Sequence, residues 1–306
     1  MGNCLCCGKP LGANEVDWHH GCIKNFFGIK TLPSINIKEF SAIFLNPKNK
    51  EAIITGVQKK VSLHLQKEGD NSRLTLVNYP SEYILKPFSD IYHQLPENEW
   101  LTMHLANICD LETVSFGLIR LEDESLAYIT KRIDRKGKKK IAMEDFCQLG
   151  ESLTENKYKS SYEKIGKILE KYSDNIGLDY YKLFNVIIFS FIVGNSDMHL
   201  KNFSLYQKKG KSIFSPSYDL LNTLIITEDL EEVALSIDGR KSHLNRKNFF
   251  NLAEKYLLNE TQIERIFNNF QRKYQMIIDS INNSLLDESL KSAYIKIIDD
   301  RYKRLF

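Results

Sequence analysis

The stretch Gly194-Asn195-Ser196-Asp197-Met198-His199-Leu200-Lys201-Asn202, with Tyr218-Asp219 beyond it, decides how this chain is read. The apolar run Val186–Val193 leads into it and stops abruptly at polar residues. Asp197 and Asn202 stand five positions apart, the interval between a catalytic carboxylate and a metal-binding carboxamide in phosphoryl-transfer loops. Asp219 lies 17 positions beyond Asn202. Between them Phe203–Tyr206 and Ser212–Phe214, split by Gln207-Lys208-Lys209-Gly210, predict a hairpin. Phosphoryl transfer needs such a set: one carboxylate to hold the attacking hydroxyl, and a carboxamide and a second carboxylate to hold Mg²⁺. Asp197 would accept the hydroxyl proton, Lys201 would neutralise charge on the transferred group, and Asn202 and Asp219 would ligate the metal. His199 reads as a supporting hydrogen-bonder, because Asp197 occupies the base position. The plain alternative is a polar loop followed by an unrelated Asp; spacing, hairpin and order weigh against it.

Working outward, the half before this loop is β-rich and the half around it helical. Residues from about 38 to 86 read as β. Val61, Leu63 and Leu65 alternate with polar residues, Gly69-Asp70-Asn71 signals a turn, and Arg73–Val77 and Tyr83–Lys86 follow as strands. A helical period runs from Glu97 to Ile108, and Leu118–Leu121 and Ala127–Thr130 form a further β pair. Arg135–Lys140 reads as an exposed loop. Met143–Leu153, Tyr162–Tyr172 and Tyr180–Val193 are predicted helices, and residues 245–306 an all-helical tail with a capping box at Thr261-x-x-Glu264. The expectation is a two-lobed α+β layout: a Cys/His-rich head over 1–28, an N-lobe over 29–132 and a C-lobe over 133–306.

Three upstream features fit a nucleotide. In Thr55-Gly56-Val57-Gln58-Lys59 a glycine lets backbone N–H groups approach a phosphate, although a lone loop glycine more often marks a turn. Lys86 ends a short apolar strand, either snorkelling to solvent or aimed into a cleft. Of the two glutamates opening the next helix, Glu97 and Glu99, we take Glu99 as its orienting partner. Backbone groups of Ile129–Asp134 would hold adenine, with Asp134 either accepting from a ribose hydroxyl or serving as an ordinary surface Asp.

At 306 residues the chain can fill one large core or two lobes. A formal charge of +3 is too small to predict a nucleic-acid or membrane partner, and the basic run Lys131–Lys140 reads as a solvated face. No apolar segment approaches membrane-spanning length and no signal pattern opens the chain, so a soluble, cytoplasmic protein is expected. Four of the six cysteines fall in the first 22 residues. Cys4-x-x-Cys7 and His19-x-x-Cys22, with Cys6 and His20 as alternatives, make a possible closed S₃N zinc site, the other reading being a head of reduced thiols.

Together these residues resemble the HipA-type serine/threonine kinase toxins. The resemblance covers about residues 50–225: Thr55-Gly56-Val57-Gln58-x-Lys60, Ile84-Leu85-Lys86-Pro87, Glu97-Asn98-Glu99, Lys131-Arg132-Ile133-Asp134, Glu144–Gln148, Gly194–Phe203 and Tyr218–Leu221, in the family's order. The head, Cys-x-x-Cys-Gly-Lys-Pro-Leu through His-x-x-Cys to Phe-Phe-Gly, is also similar. The resemblance implies a protein-kinase-like fold using ATP and Mg²⁺. By carry-over, Asp197 is the base, Asn202 and Asp219 are metal ligands, Lys86 contacts phosphates, and backbone near Lys131 and Ile133 holds adenine. It also implies phosphorylation of an aminoacyl-tRNA synthetase, which blocks translation and growth. The long proteins carry an N-terminal subdomain ahead of the phosphate loop, which here begins near residue 55. The chain therefore resembles the short, HipT-type toxin of three-component systems, with the tryptophanyl synthetase as favoured substrate. Its partners would be a small antitoxin matching that subdomain and a DNA-binding antitoxin, with no direct nucleic-acid binding of its own. Autophosphorylation in the family falls on the loop hydroxyl before glycine, which here is Thr55 alone, after Ile53-Ile54. A non-catalytic kinase-fold regulator is disfavoured because no catalytic position is lost. A small-molecule kinase is disfavoured by the Gly-Val-Gln loop and the Glu144–Gln148 motif.

Overall fold

The computed structural model describes residues 2–35, 59–68, 71–89, 91–137, 139–227 and 231–306. The Thr55-Gly56-Val57-Gln58 loop, the strand expectation before residue 59 and Gly69-Asp70 lie outside the described residues. The chain divides into two compact units, one from Met1–Trp100 with Val114–Lys140, the other from Leu101–Thr113 with Ile141–Phe306.

In the first unit, α1 (His20–Phe27) closes the head and is followed by β1 (Ser34–Ile35), β2 (Val61–Glu68), β3 (Asn71–Val77) and β4 (Tyr83–Lys86). The start of α2 (Leu95–Ile108), β5 (Phe116–Arg120) and β6 (Leu126–Lys131) complete it. Among the described residues six strands form one sheet, ordered β1-β3-β2-β4-β6-β5. The alternating Val61, Leu63 and Leu65 are buried, and Val61 and Leu63 lie opposite Leu85 and Tyr83 of β4. β5 and β6 bury consecutive residues, Phe116–Ile119 and Ala127–Thr130, the mark of strands covered on both faces. The head supplies one cover. Trp18 lies over Gly117, where a Cβ would sit 2.4 Å from the indole, and Phe26 and Phe27 pack on Tyr83 with centroids 5.7 and 5.4 Å away. The run read as a loop after Asp134 instead pairs as β7 (Arg135–Lys136) and β8 (Lys139–Lys140).

The second unit takes the rest of α2, then β9 (Met143–Asp145), α3 (Phe146–Leu149), α4 (Tyr162–Tyr172) and α5 (Ile176–Ile192). β10 (Ser204–Lys208), β11 (Lys211–Phe214), α6 (Arg246–Lys255), α7 (Glu260–Asn282) and α8 (Glu288–Leu305) follow. The predicted helix Met143–Leu153 is corrected here: its first residues pair with β10, and α3 begins only after Asp145. That residue caps α3 reciprocally with Gln148, which makes Asp145 a boundary. The cap of α7 is likewise Asn259 with Gln262, not Thr261 with Glu264. α5 is the axis of the unit, with Val186–Val193 buried throughout, as expected of a helix apolar on all sides. No helix among the described residues is long and apolar enough to cross a membrane.

Candidate active site

In the second unit, the buried end of α5 forces every backbone group of the following turn to find a partner. Gly194 makes the turn at φ 70°. A Cβ there would meet Asn222 Oδ1 at 2.9 Å and Ile297 Cγ2 at 3.0 Å, so glycine is required both by conformation and by space. Thr223 pins the turn: its hydroxyl accepts from Ser196 N–H at 2.8 Å and donates to the Gly194 carbonyl at 3.1 Å. Asn195 Oδ1 accepts from Asp197 N–H at 3.1 Å, and the Tyr162 hydroxyl donates to the Met198 carbonyl at 3.2 Å.

Asn202 Nδ2 donates to the Asp197 carbonyl at 2.8 Å. With its nitrogen committed, the carboxamide oxygen is the atom with ligand chemistry for a hard cation. The Asp197 carboxylate is half-buried and accepts from the Tyr158 hydroxyl. His199, expected to support Asp197, packs edge-on against the Tyr158 ring at 4.9 Å. Burial pushes its pKa down, against the pull of Asp197. Its Nδ1 is buried without a hydrogen-bond partner among the described residues. Lys201 Nζ lies 3.0 Å from Asp145 Oδ2. Asp219 sits at φ 60°, a strained setting for a non-glycine residue. The neighbouring Tyr218 hydroxyl is held by Ser204 Oγ at 2.6 Å and the Lys201 carbonyl at 3.2 Å.

In the first unit, Lys86 Nζ meets Glu99 Oε1 at 2.6 Å, their side chains 6% and 0% exposed. Of the two glutamates weighed in the sequence, Glu99 is the one that faces the lysine. Lys86 also lies 5.4 Å from the Tyr128 ring centre. Lys131 uses its N–H on the Ser115 carbonyl at 2.9 Å and its Nζ on the Phe26 carbonyl at 3.1 Å, while Ile133 is half-buried beside it. Asp134 accepts a fork from Arg132 at 2.8 and 2.7 Å and a third bond from Arg135 at 3.0 Å. Burial would raise its pKa, but the arginines outweigh that and hold it low. Its oxygens are therefore engaged by arginines, where the sequence left open a ribose contact. In the head, ligand atoms of Cys4, Cys7, His19 and Cys22 lie within 4.8 Å of one another. Neither Cys6 nor His20 joins them; Cys6 Sγ instead faces the Phe116 carbonyl at 3.8 Å.

Sequence reasoning missed Tyr158, Asp145, Thr223 and Tyr162. Only Asp145 carried a signal, as part of the quoted Glu144–Gln148 motif.

The profile of the HipA-like C-terminal domain family matches residues 52–278. The chain is 30% identical over 223 residues to a putative kinase, Y4dM, of Sinorhizobium fredii, covering 68% of this chain and 54% of that protein. It is 26% identical over 214 residues to the serine/threonine-protein kinase toxin HipA of Shewanella oneidensis, covering 60% of this chain and 46% of the relative. The chain thus spans about half the length of these curated relatives. Among solved structures it is similar to the HipA, HipB and operator DNA complex of Shewanella oneidensis MR-1, with TM-score 0.71 at 20% identity, covering 90% of this chain and 72% of the other. It is also similar to the proinflammatory kinase CtkA of Helicobacter pylori, with TM-score 0.58 at 13% identity, covering 85% and 91%. Both likenesses show the fold, an α+β, two-lobed, kinase-like architecture.

Proposed function

The chain belongs to the HipA-like C-terminal domain family, and on that premise we propose that it is an ATP- and Mg²⁺-dependent serine/threonine protein kinase acting as a toxin. The observation that carries the reading is the 2.8 Å bond from Asn202 Nδ2 to the Asp197 carbonyl. It fixes the Asp197 backbone and the Asn202 carboxamide on one turn, the kind of positioning that phosphoryl transfer depends on. Asp197 orients the substrate hydroxyl and takes its proton as the new oxygen–phosphorus bond forms and the bond from the γ-phosphorus to the bridging oxygen breaks, ADP leaving. Lys201 exchanges Asp145 for the transferred group. Asn202 and Asp219 would hold Mg²⁺ through their side-chain oxygens, and the ion would supply neutralisation of phosphate charge there. Lys86, oriented by Glu99, is the phosphate-contacting lysine.

The proposed substrate is an aminoacyl-tRNA synthetase, the tryptophanyl enzyme first, so that phosphorylation stalls tRNA charging and growth. Thr55 is the proposed autophosphorylation site, and a HipT-type pair of antitoxins, one small and one DNA-binding, the proposed partners. The relative named as a HipA kinase toxin supports the toxin reading, and the neighbour described with HipB and operator DNA supports a DNA-binding antitoxin as partner; the synthetase, Thr55 and the small antitoxin rest on the sequence resemblance. The test is Asp197→Gln, assayed with labelled ATP against a panel of synthetases read by mass spectrometry, beside a growth assay. Phosphate incorporation should fall about 10²–10⁴-fold, and growth arrest with it. Survival of both would sink the assignment.

A further inference from the structure

We infer that Cys4, Cys7, His19 and Cys22 bind one Zn²⁺ in a closed tetrahedral site, and that this ion fastens the head to the free edge of the first unit's sheet. The site stands whether or not the chain transfers phosphate.

His19 Nδ1 lies 3.3 Å from Cys7 Sγ and 3.8 Å from Cys22 Sγ. A tetrahedral zinc with bonds of about 2.3 Å to sulfur and about 2.0 Å to nitrogen separates its ligand atoms by roughly 3.5–3.8 Å. The histidine tautomer is set from outside the cluster. Nε2 lies 2.9 Å from the Pro10 carbonyl, so it carries the proton it donates there, and Nδ1 turns its lone pair to the sulfurs. Zinc-binding histidines are oriented in this way. Cys4 Sγ accepts from His19 N–H at 3.4 Å, and Gly8, at φ 74°, closes the Cys4–Cys7 turn with a 2.8 Å bond to the Cys4 carbonyl. Four protein ligands leave no open position, which makes the site structural. On binding, three thiols release their protons to solvent and the centre carries a net charge of −1.

The residues beside the ligands show what the ion holds. β5 is the last strand of its sheet, and an uncovered edge is a liability. The Leu118 N–H donates to the carbonyl of Leu5, which lies between Cys4 and Cys7, at 2.8 Å. The Leu118 carbonyl accepts at 2.8 Å from the indole of Trp18, which adjoins His19. Both edge-facing backbone groups of Leu118 are thus satisfied by neighbours of the ligands. Beyond Cys22, the Phe26 carbonyl holds Lys131 Nζ on β6.

The experiment uses the full chain purified reduced and without added metal. Metal analysis should find about one zinc per chain, and cobalt exchange should give the spectrum of a tetrahedral, thiolate-bound ion. Cys22→Ser should bring zinc to background. Because that variant can unfold, a second measurement uses the unaltered chain. Stripping zinc with a chelator should open Cys4, Cys7 and Cys22 to alkylation and speed amide exchange at Leu118 about tenfold, leaving exchange in α7 unchanged. A folded, reduced chain that holds no zinc and takes up none, or zinc retained in full by Cys22→Ser, overturns the inference. So does unchanged exchange at Leu118 after stripping.

Discussion

Glu99 is a buried carboxylate in one unit and Glu232 a half-buried one in the other, and they are gripped differently. Glu99 meets a lysine, Lys86, at 2.6 Å. Glu232 is clamped by Arg301 at 2.6 Å, by Arg304 at 2.6 and 2.8 Å, and by Leu244 N–H at 3.1 Å. Arg304 also donates to the Leu244 carbonyl. Planar guanidinium forks fix geometry, whereas a lysine is a point charge on a flexible stem that can be shared with an arriving anion. The arginine clamp therefore ties α8 to the Glu232–Leu244 segment, while the lysine pair suits contact with a phosphate. Asp197 adds a third and weaker grip, from the neutral Tyr158 hydroxyl. The grip loosens toward Asp197.

The largest expected effect comes from breaking the lysine pair. Lys86→Met takes the lysine partner from Glu99 in a buried setting and should cost about 3–5 kcal/mol in denaturant unfolding. Lys86→Met with Glu99→Leu should recover most of that stability, because removing both charges also removes the desolvation penalty. Nucleotide binding should be absent from both variants. A Lys86→Met chain with its original midpoint and normal nucleotide affinity would erase the contrast with Glu232.

The arginine clamp is probed by acid. Burial would raise the Glu232 pKa, but the bonds from Arg304 and Arg301 outweigh it and bring it from 4.5 to about 2. Because the folded value is the lower one, the stabilisation is complete above about pH 4.5 and is lost as pH falls toward 2. Allowing for the partial exposure of Arg304, roughly 2–3 kcal/mol should disappear across that window. In Glu232→Gln the acid-dependent loss should shrink by that amount, and an unchanged acid profile would show that the clamp does not stabilise the unit.

How much of this was legible in the sequence follows from the range of each interaction. The sequence places β4 to the residue because Pro87 ends it, and α4 at its observed bounds, Tyr162–Tyr172. The closeness of Asp197 to Asn202 and of Cys4, Cys7, His19 and Cys22 to one another is legible because their spacing is local. The sequence puts the start of α5 at Tyr180, whereas the helix begins at Ile176. Asp179 looks like a surface residue, yet it is buried by bonds from Ser173 and Phe214. The partners of the Gly194–Asn202 turn are hidden for the same reason: Thr223 meets Ser196 across 27 positions and Tyr158 meets Asp197 across 39. The sequence reads β9 as helix because its pairing with β10 is distant in the chain.

The weakest grip gives the smallest effect and the sharpest discrimination. Tyr158 is 38% exposed, so Tyr158→Phe removes a solvent-screened bond and should cost no more than about 1 kcal/mol of stability. Its kinetic consequence depends on what the hydroxyl does. As a positioning residue, Tyr158 holds the Asp197 carboxylate at the angle a substrate hydroxyl needs. Its loss should then lower kcat about fivefold with KM unchanged, the signature of an interaction made in the transition state. A hydroxyl that merely occupies the substrate's place would act in the opposite sense, and Tyr158→Phe would raise kcat/KM. We expect the first result, because the His199 ring, edge-on at 4.9 Å, and the Lys157 carbonyl, which takes the Leu200 N–H at 3.2 Å, brace the tyrosine against the turn.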